Sequence, residues 1–278
     1  MKPRRFFAPV TCFSHPRVVR YQVSDTRWPL PDLKIAVVAD LHCCRPWTPL
    51  SAIGRIVSMT NALGADMILL PGDFIADRNL AARPEPAAAI VAELARLSAP
   101  LGVAAVLGNH DWWDCPLSRR TGFQRNSVAE ALAASSIQLL DNRSIAVSHR
   151  GAEFRLVGMD SQRALRKRGR PGLHRPDAAF ADVGPDMPAI LLAHEPDYFA
   201  ERDSRAFLQI SGHTHGGQAN LFGWRPMVPS KFGARFGYGH IREDGRHLIV
   251  SGGIGYSGLP LRLFQPPEIT LVTLRRSN

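Results

Sequence analysis

The sequence predicts an α/β fold, a two-sheet β-sandwich flanked by helices, on three observations. Short apolar runs of strand type alternate with helical patterns through the first part of the chain. Closely spaced strand-type runs with few long helices follow after about residue 136. No stretch rich in Gly, Ser or Pro separates the two regions. Alternating β and α elements imply parallel strands with helical crossovers, and the strand-rich continuation implies a second sheet packed on the first. With 278 residues, one large domain can bury a substantial core.

Residues 1–30 read as an N-terminal extension leading into the first strand, and residues 31–278 as one domain. Lys2, Arg4 and Arg5 precede an apolar run of only five residues, 6–10, and His15, Arg17 and Arg20 then interrupt it. A secretory signal needs a longer apolar core, so none is expected. Residues 33–39 form a buried-type strand, 50–63 have helical spacing, 67–70 are the next strand, 86–97 an alanine-rich helix and 103–107 a third strand. Further strands are expected at 137–140, 145–148, 154–158, 190–193, 207–210, 248–251 and 269–274.

Hydrophobic residues make up 45% and charged residues 21%, which excludes a disordered or collagen-like chain. Apolar stretches such as 67–70 and 189–193 fall far short of the roughly 20 residues of a membrane-spanning helix. Cys12, Cys43, Cys44 and Cys115 have neither zinc-knuckle nor disulfide-framework spacing, so reduced thiols in a cytoplasmic protein are expected. The net charge of +10 favours an anionic partner, be it nucleic acid, anionic lipid headgroups or a phosphorylated substrate.

The chemistry-bearing residues sit just past strand ends. Asp40 and His42 follow 33–39, and Gly72-Asp73 follows 67–70. Each alone reads equally well as a turn. Gly108-Asn109-His110-Asp111 follows 103–107, so three parallel strands deliver ligand-type residues at their carboxyl ends, where open α/β sheets bind ligands. His194 follows 190–193, a position more often occupied by a packed or capping histidine. His213-Thr214-His215, flanked by Gly212 and Gly216, follows 207–210, and two histidines one residue apart point the same way on extended backbone. Carboxylate, imidazole and one amide oxygen together suit Zn, Mn or Fe.

The ordered set Asp-x-His, Gly-Asp, Gly-Asn-His-Asp, His and Gly-His-x-His resembles the calcineurin-like metallophosphoesterases over about residues 33–274. The resemblance implies a four-layer α-β-β-α architecture and a hydrolase with two divalent ions, manganese first, with Zn, Fe or Mg as alternatives. It implies Asp40, His42 and His215 on one ion, Asn109, His194 and His213 on the other, and Asp73 bridging. A hydroxide shared by the ions would attack phosphorus in line. His110 would stabilise the phosphoryl group or act as general acid, with Asp111 orienting it.

The glycine-rich segment 251–262 and Pro266-Pro267-Glu268-Ile269 resemble a bacterial branch of small phosphodiesterases. Many of these are membrane-peripheral, and the branch includes enzymes similar to UDP-diacylglucosamine diphosphatases. That resemblance implies a phosphodiester or diphosphate in a nucleotide- or lipid-linked molecule, with Arg262 available for a phosphate. Location would be cytoplasmic, or peripheral to an anionic inner membrane. The basic run Arg163, Arg166, Lys167, Arg168 and Arg170 would guide an anionic substrate or membrane, or is a solvated loop. Cys43-Cys44 stands where glycine or small polar residues are expected, and buried thiols are the favoured reading. The alternatives are a metal-dependent nuclease, or a nucleic-acid-binding protein with a vestigial metal site. No helix-turn-helix, zinc-finger or aromatic-stacking motif supports the latter.

Overall fold

A computed structural model of the chain describes residues 10–11, 15–80, 82–165 and 171–276. The first half comprises β1 (Val10–Thr11), β2 (Arg17–Asp25), β3 (Leu33–Val37), β4 (Cys44–Arg45), α1 (Leu50–Asn61), β5 (Met67–Leu70), β6 (Arg83–Pro84), α2 (Ala87–Leu94), β7 (Val103–Ala105), α3 (Asn109–Trp113), α4 (Pro116–Arg120), α5 (Ser127–Ala133) and β8 (Gln138–Leu139). The second comprises β9 (Arg143–His149), β10 (Ala152–Met159), α6 (Pro176–Ala179), β11 (Ala189–Ala193), β12 (Leu208–Ser211), β13 (Gly239–Glu243), β14 (Arg246–Val250), β15 (Arg262–Leu263) and β16 (Glu268–Arg276).

Two six-stranded sheets result, β2-β16-β3-β5-β7-β8 and β13-β14-β12-β11-β10-β9. In the first, β3, β5, β7 and β8 run parallel, as the alternation of strands and helices requires. The strands read as continuous apolar runs because both faces are covered. Ile35 and Val37 point into the core between the sheets, where they meet Phe154, Leu156, Ile190 and Ile210. Ala36 and Val38 point the other way, onto Ile53, Ile56 and Val57 of α1 and Ile90 and Val91 of α2. Val157, Met159 and Leu191 on the outer face of the second sheet are covered by Ala179, Phe180 and Tyr198. Two sheets with cover on both outer faces make four layers.

Helix α1 shows how spacing sets this packing. Ile53, Ile56, Val57 and Thr60 fall on one face and are buried. Each aliphatic side chain so buried contributes about 1.5–3 kcal/mol relative to exposure. Just beyond the helix, Gly64 turns the chain at φ 60° toward β5.

Two strands of the six-stranded sheets, the two-residue strands β1, β4, β6 and β15, and the short helices α3 to α6 go beyond the pattern expected from sequence. The segment read as an extension contributes β2, an edge strand in nine-residue parallel register with β16. Arg17 and Arg20 break its apolar character, so its place rests on the backbone ladder. β13 is likewise an edge strand, paired antiparallel with β14. Helices α3, α4 and α5 occupy the segment between the third expected strand and residue 137. Among the described residues, no helix is long and apolar enough to cross a membrane.

Candidate active site

Five strand ends, three from one sheet and two from the other, meet at one edge of the sandwich. Asp40 and His42 follow β3, Asp73 follows β5, Asn109 follows β7, His194 follows β11, and His213 and His215 follow β12. All seven are buried. Asp40, His42, Asp73, His213 and His215 hold left-handed backbone, with φ between 42° and 71°. Such positions cost a non-glycine residue energy and persist only where the surroundings fix them.

What fixes them is close backbone approach. A Cβ on Gly72 would lie 2.4 Å from Gly108 N, and one on Gly108 would lie 2.2 Å from Asp73 Oδ1. The glycines of the Gly-Asp and Gly-Asn-His-Asp motifs therefore let the β5 and β7 ends touch. Asp111 locks the junction: its carboxylate accepts from the backbone N–H of Asp73 (2.8 Å), Phe74 (2.8 Å), Ile75 (3.2 Å) and Gly108 (2.9 Å).

Two groups of ligand-type atoms lie on these strand ends, Asp40 with His42 and His215, and Asp73 with His194 and His213; a third, Asp77 with His110 and Asp114, stands beside them. His42 Nε2 lies 3.1 Å from His215 Nε2, and His213 Nδ1 lies 3.2 Å from His194 Nε2. Two nitrogens each about 2.1 Å from one ion would be separated by about 3.0–3.4 Å, so both pairs fit a shared cation. Asp73 Oδ2 faces both clusters, 3.6 Å from His42 Nε2 and 3.1 Å from His194 Nε2. Asp40 Oδ2, His42 Nδ1 and both side-chain polar atoms of Asn109 are buried with no hydrogen-bond partner. A site built for cations leaves such atoms unpaired, whereas a structural network does not. The residues fit a metal centre.

Outer contacts choose which nitrogen faces inward. His194 Nδ1–H donates to Pro71 O at 2.7 Å, leaving Nε2 for the site. Pro229 O accepts from His213 Nε2–H at 2.9 Å and from Arg163 Nη1 at 2.6 Å, leaving His213 Nδ1 inward. Arg262 Nη2 lies 3.2 Å from His215 Nδ1 on the far side of that ring. Burial, reinforced by Asp73, pushes the Asp40 carboxyl up to about 7, and burial pulls His42 down to about 4. Burial opposes charge on His194 as well, but Asp73 beside it lifts that imidazole to about 10. Burial and neighbouring positive groups hold His213 and His215 well below the ordinary imidazole range. Neutral imidazoles beside carboxylates are the donor form that divalent cations take.

His110 stands beside the clusters, its ring centroid 5.0 Å from that of His42. Here the structure corrects the sequence reading. Asp111, expected to orient His110, is spent on four backbone N–H groups. The partner is Asp114, whose Oδ2 is 2.6 Å from His110 Nδ1, with Asp77 Oδ1 at 3.9 Å. Adjacent residues point to different sides of a helical turn, while residues four apart stack. The spacing His110-x-x-x-Asp114 was the available signal. Burial disfavours the imidazolium, but Asp73, Asp114 and Asp77 outweigh it and raise the His110 pKa.

Arg262 is the second correction. It is not a rim residue available to a phosphate but wholly buried, donating to Gly252 O at 2.8 Å and Gly255 O at 2.7 Å. It clips the glycine-rich segment behind His215. Arg166 and Arg168, with Lys167 and Arg170, lie outside the described residues. Arg163, at the start of that run, contacts the His213 ring, with its Nη1 2.9 Å from Nε2. Glu195 holds the turn leading to it, accepting from Gln162 N at 2.9 Å and Ser161 Oγ at 2.5 Å. Cys43 and Cys44 are buried thiols whose pKa values burial raises.

Comparison with known proteins bears on this arrangement. The model of the family described as calcineurin-like phosphoesterase matches residues 33–217. Over 248 residues the chain is 27% identical to the uncharacterized metallophosphoesterase YkuE of Bacillus subtilis, covering 88% of this chain and 80% of that one. It is 29% identical over 264 residues to the phosphodiesterase YaeI of Escherichia coli, covering 92% and 87% respectively. A Bos taurus transmembrane protein with a metallophosphoesterase domain is 30% identical over 274 residues, and 57% of its length is spanned.

Proposed function

The chain belongs to the calcineurin-like phosphoesterase family, a metal-dependent phosphoric ester hydrolase, and from that premise we propose that it uses two divalent cations to cleave a phosphodiester or diphosphate. The observation that carries the reading is the pair of buried donor clusters facing one shared carboxylate, Asp73, with buried atoms left unpartnered. In this reading Asp40, His42 and His215 hold one ion, Asn109, His194 and His213 the other, and Asp73 both. Bound cations would supply a water activated for attack near neutral pH and neutralise charge on the phosphoryl oxygens.

The protein's own groups do the rest. Asp111 fixes the strand-end loops, and with them the Asp73 carboxylate that both ions share. Asp114 engages His110 Nδ1 and leaves Nε2–H to donate to the leaving oxygen as the P–O bond breaks. A small substrate with a phosphodiester or diphosphate, free or lipid-linked, suits the site and the net charge of +10. Residues 31–278, together with β2 as an edge strand of their first sheet, would act as the catalytic domain, in the cytoplasm or at the inner face of an anionic membrane.

Chelation tests the reading. Chelator should remove about two ions per chain, counted by elemental analysis, and abolish turnover of a nitrophenyl phosphodiester, with Mn restoring both. Activity that survives with less than one ion per chain overturns it.

A further inference from the structure

On the phosphoesterase reading above, we propose that two loops beside the metal centre, residues 219–232 and 257–264, dock on an anionic phospholipid bilayer and hold the active site against it. Every large hydrophobic side chain that is exposed among the described residues lies in these loops, including Phe222, Trp224, Met227, Leu259, Leu261 and Phe264. The loops form one surface. Asn220 N donates to Leu263 O at 2.9 Å, Leu263 N donates to Gln218 O at 2.8 Å, and the Phe222 and Phe264 rings lie 5.9 Å apart. Contiguous apolar exposure on this scale marks an interaction site.

Backbone cost points the same way. Leu221 and Trp224 exchange backbone hydrogen bonds at 2.8 and 3.1 Å, closing a two-residue turn over Phe222 and Gly223. Both turn residues have positive φ, 55° and 101°. Asn-Gly suits such a turn, whereas a phenylalanine is strained there. Yet Phe222 occupies the tip and is 98% exposed, and Phe264 repeats the pattern at φ 53°. Neither strain nor exposure is offset by a contact within the chain's core.

The surface is tied to the metal centre at both ends of the first loop. That loop leaves directly after His215-Gly216-Gly217, and it returns with Pro229 O on His213 Nε2 and Lys231 N donating to Asp197 at 3.0 Å. Charge selects the occupant. Arg163 rests on Pro229 O, Arg225 and the exposed Lys231 lie within the first loop, and the exposed Arg235 follows it. Basic segments beside aromatic and aliphatic side chains are what an anionic bilayer attracts and admits. A second copy fits less well, because two chains of charge +10 repel each other. A protruding tip is also a wedge for lipid rather than a groove for a peptide.

Vesicle flotation with phosphatidylcholine, with and without phosphatidylglycerol, tests the proposal on the Mn-loaded enzyme. Wild type should float with anionic vesicles, and Phe222→Ser/Trp224→Ser/Phe264→Ser should partition roughly 100-fold less. Brominated acyl chains should quench wild-type tryptophan emission, and Trp224→Phe should remove that quenching. These side chains lie outside the catalytic machinery, so turnover of a soluble nitrophenyl phosphodiester should be equal in wild type and triple variant. That equality also shows that the variant folds. Equal partitioning of wild type and variant, or no quenching, overturns the proposal. Sedimentation showing a wild-type dimer that the triple variant loses, without vesicle binding, assigns the surface to a second copy instead. Absent soluble turnover would count against the phosphoesterase reading alone, since partitioning is measured independently.

Discussion

Replacing Asp114 with asparagine should separate the charge on His110 from its geometry. Asparagine Oδ1 can still accept from His110 Nδ1–H, so the ring should stay where Asp114 Oδ2 holds it at 2.6 Å, but the negative charge is gone. Both side chains are nearly buried, 10% and 1% exposed. At that separation an ion pair is worth several kcal/mol even at an effective dielectric of about 20. Asp77, at 3.9 Å, keeps part of the field. The net effect should be a lower imidazole pKa. The sign follows from the acid role. His110 is useful while protonated, its pKa is raised in the native site, and activity falls as pH climbs through that value. The alkaline limb of kcat/KM should therefore move to lower pH, with metal content unchanged. At neutral pH, kcat should drop roughly 10- to 100-fold on alkyl leaving groups and much less on nitrophenol, which needs little protonation. An unmoved limb with equal losses on both leaving groups would refute the argument. Asp114 would then serve only to anchor Arg78, its other partner.

Other substitutions probe the rest of the site. His110→Asn should keep both ions by elemental analysis yet lower kcat by about two to four orders of magnitude, and loss of metal would make it a ligand instead. Gly108→Ala would place a methyl 2.2 Å from Asp73 Oδ1, displacing the shared carboxylate. Metal content should fall, and stability by about 1–3 kcal/mol, in paired elemental and thermal measurements; wild-type values for both would contradict the packing argument. Asp111→Asn turns amide hydrogens toward N–H donors and should cost about 3–5 kcal/mol in denaturant unfolding. A loss below about 1 kcal/mol would mean the four backbone bonds are dispensable.

The sequence reading reached the strands around the site because burial on both faces leaves continuous apolar runs, as in Met67–Leu70. It picked out the residues that the structure gathers at one edge because polar residues directly after such runs have few structural reasons to recur five times. It missed β2 and β13 because edge strands owe their place to a backbone ladder rather than to apolar periodicity. Asp111 and Asp114 differ only in helical phase, and phase within a five-residue helix is set by where the turn begins, which composition does not reveal. Arg262 was read as exposed because arginine seldom lies at zero exposure without a carboxylate. Here five contacts to the glycine segment and His215 hold it.

The seven donor positions span residues 40 to 215 and arise from two sheets joined by the core between them and by bonds at their edge, such as His194 to Pro71 O and His213 N to Asp40 Oδ1. In the proposed assignment neither ion's set lies on one sheet: Asp40 and His42 would wait for His215, and Asn109 for His194 and His213. Ion capture would thus be a late event in the life of each molecule, open only to chains whose two sheets have already docked. Capture then favours the docked state by mass action, in proportion to free cation over its dissociation constant. The same ions that serve turnover would act as a latch on the sandwich, and scarcity of cation would be felt first as chains that come apart along the seam.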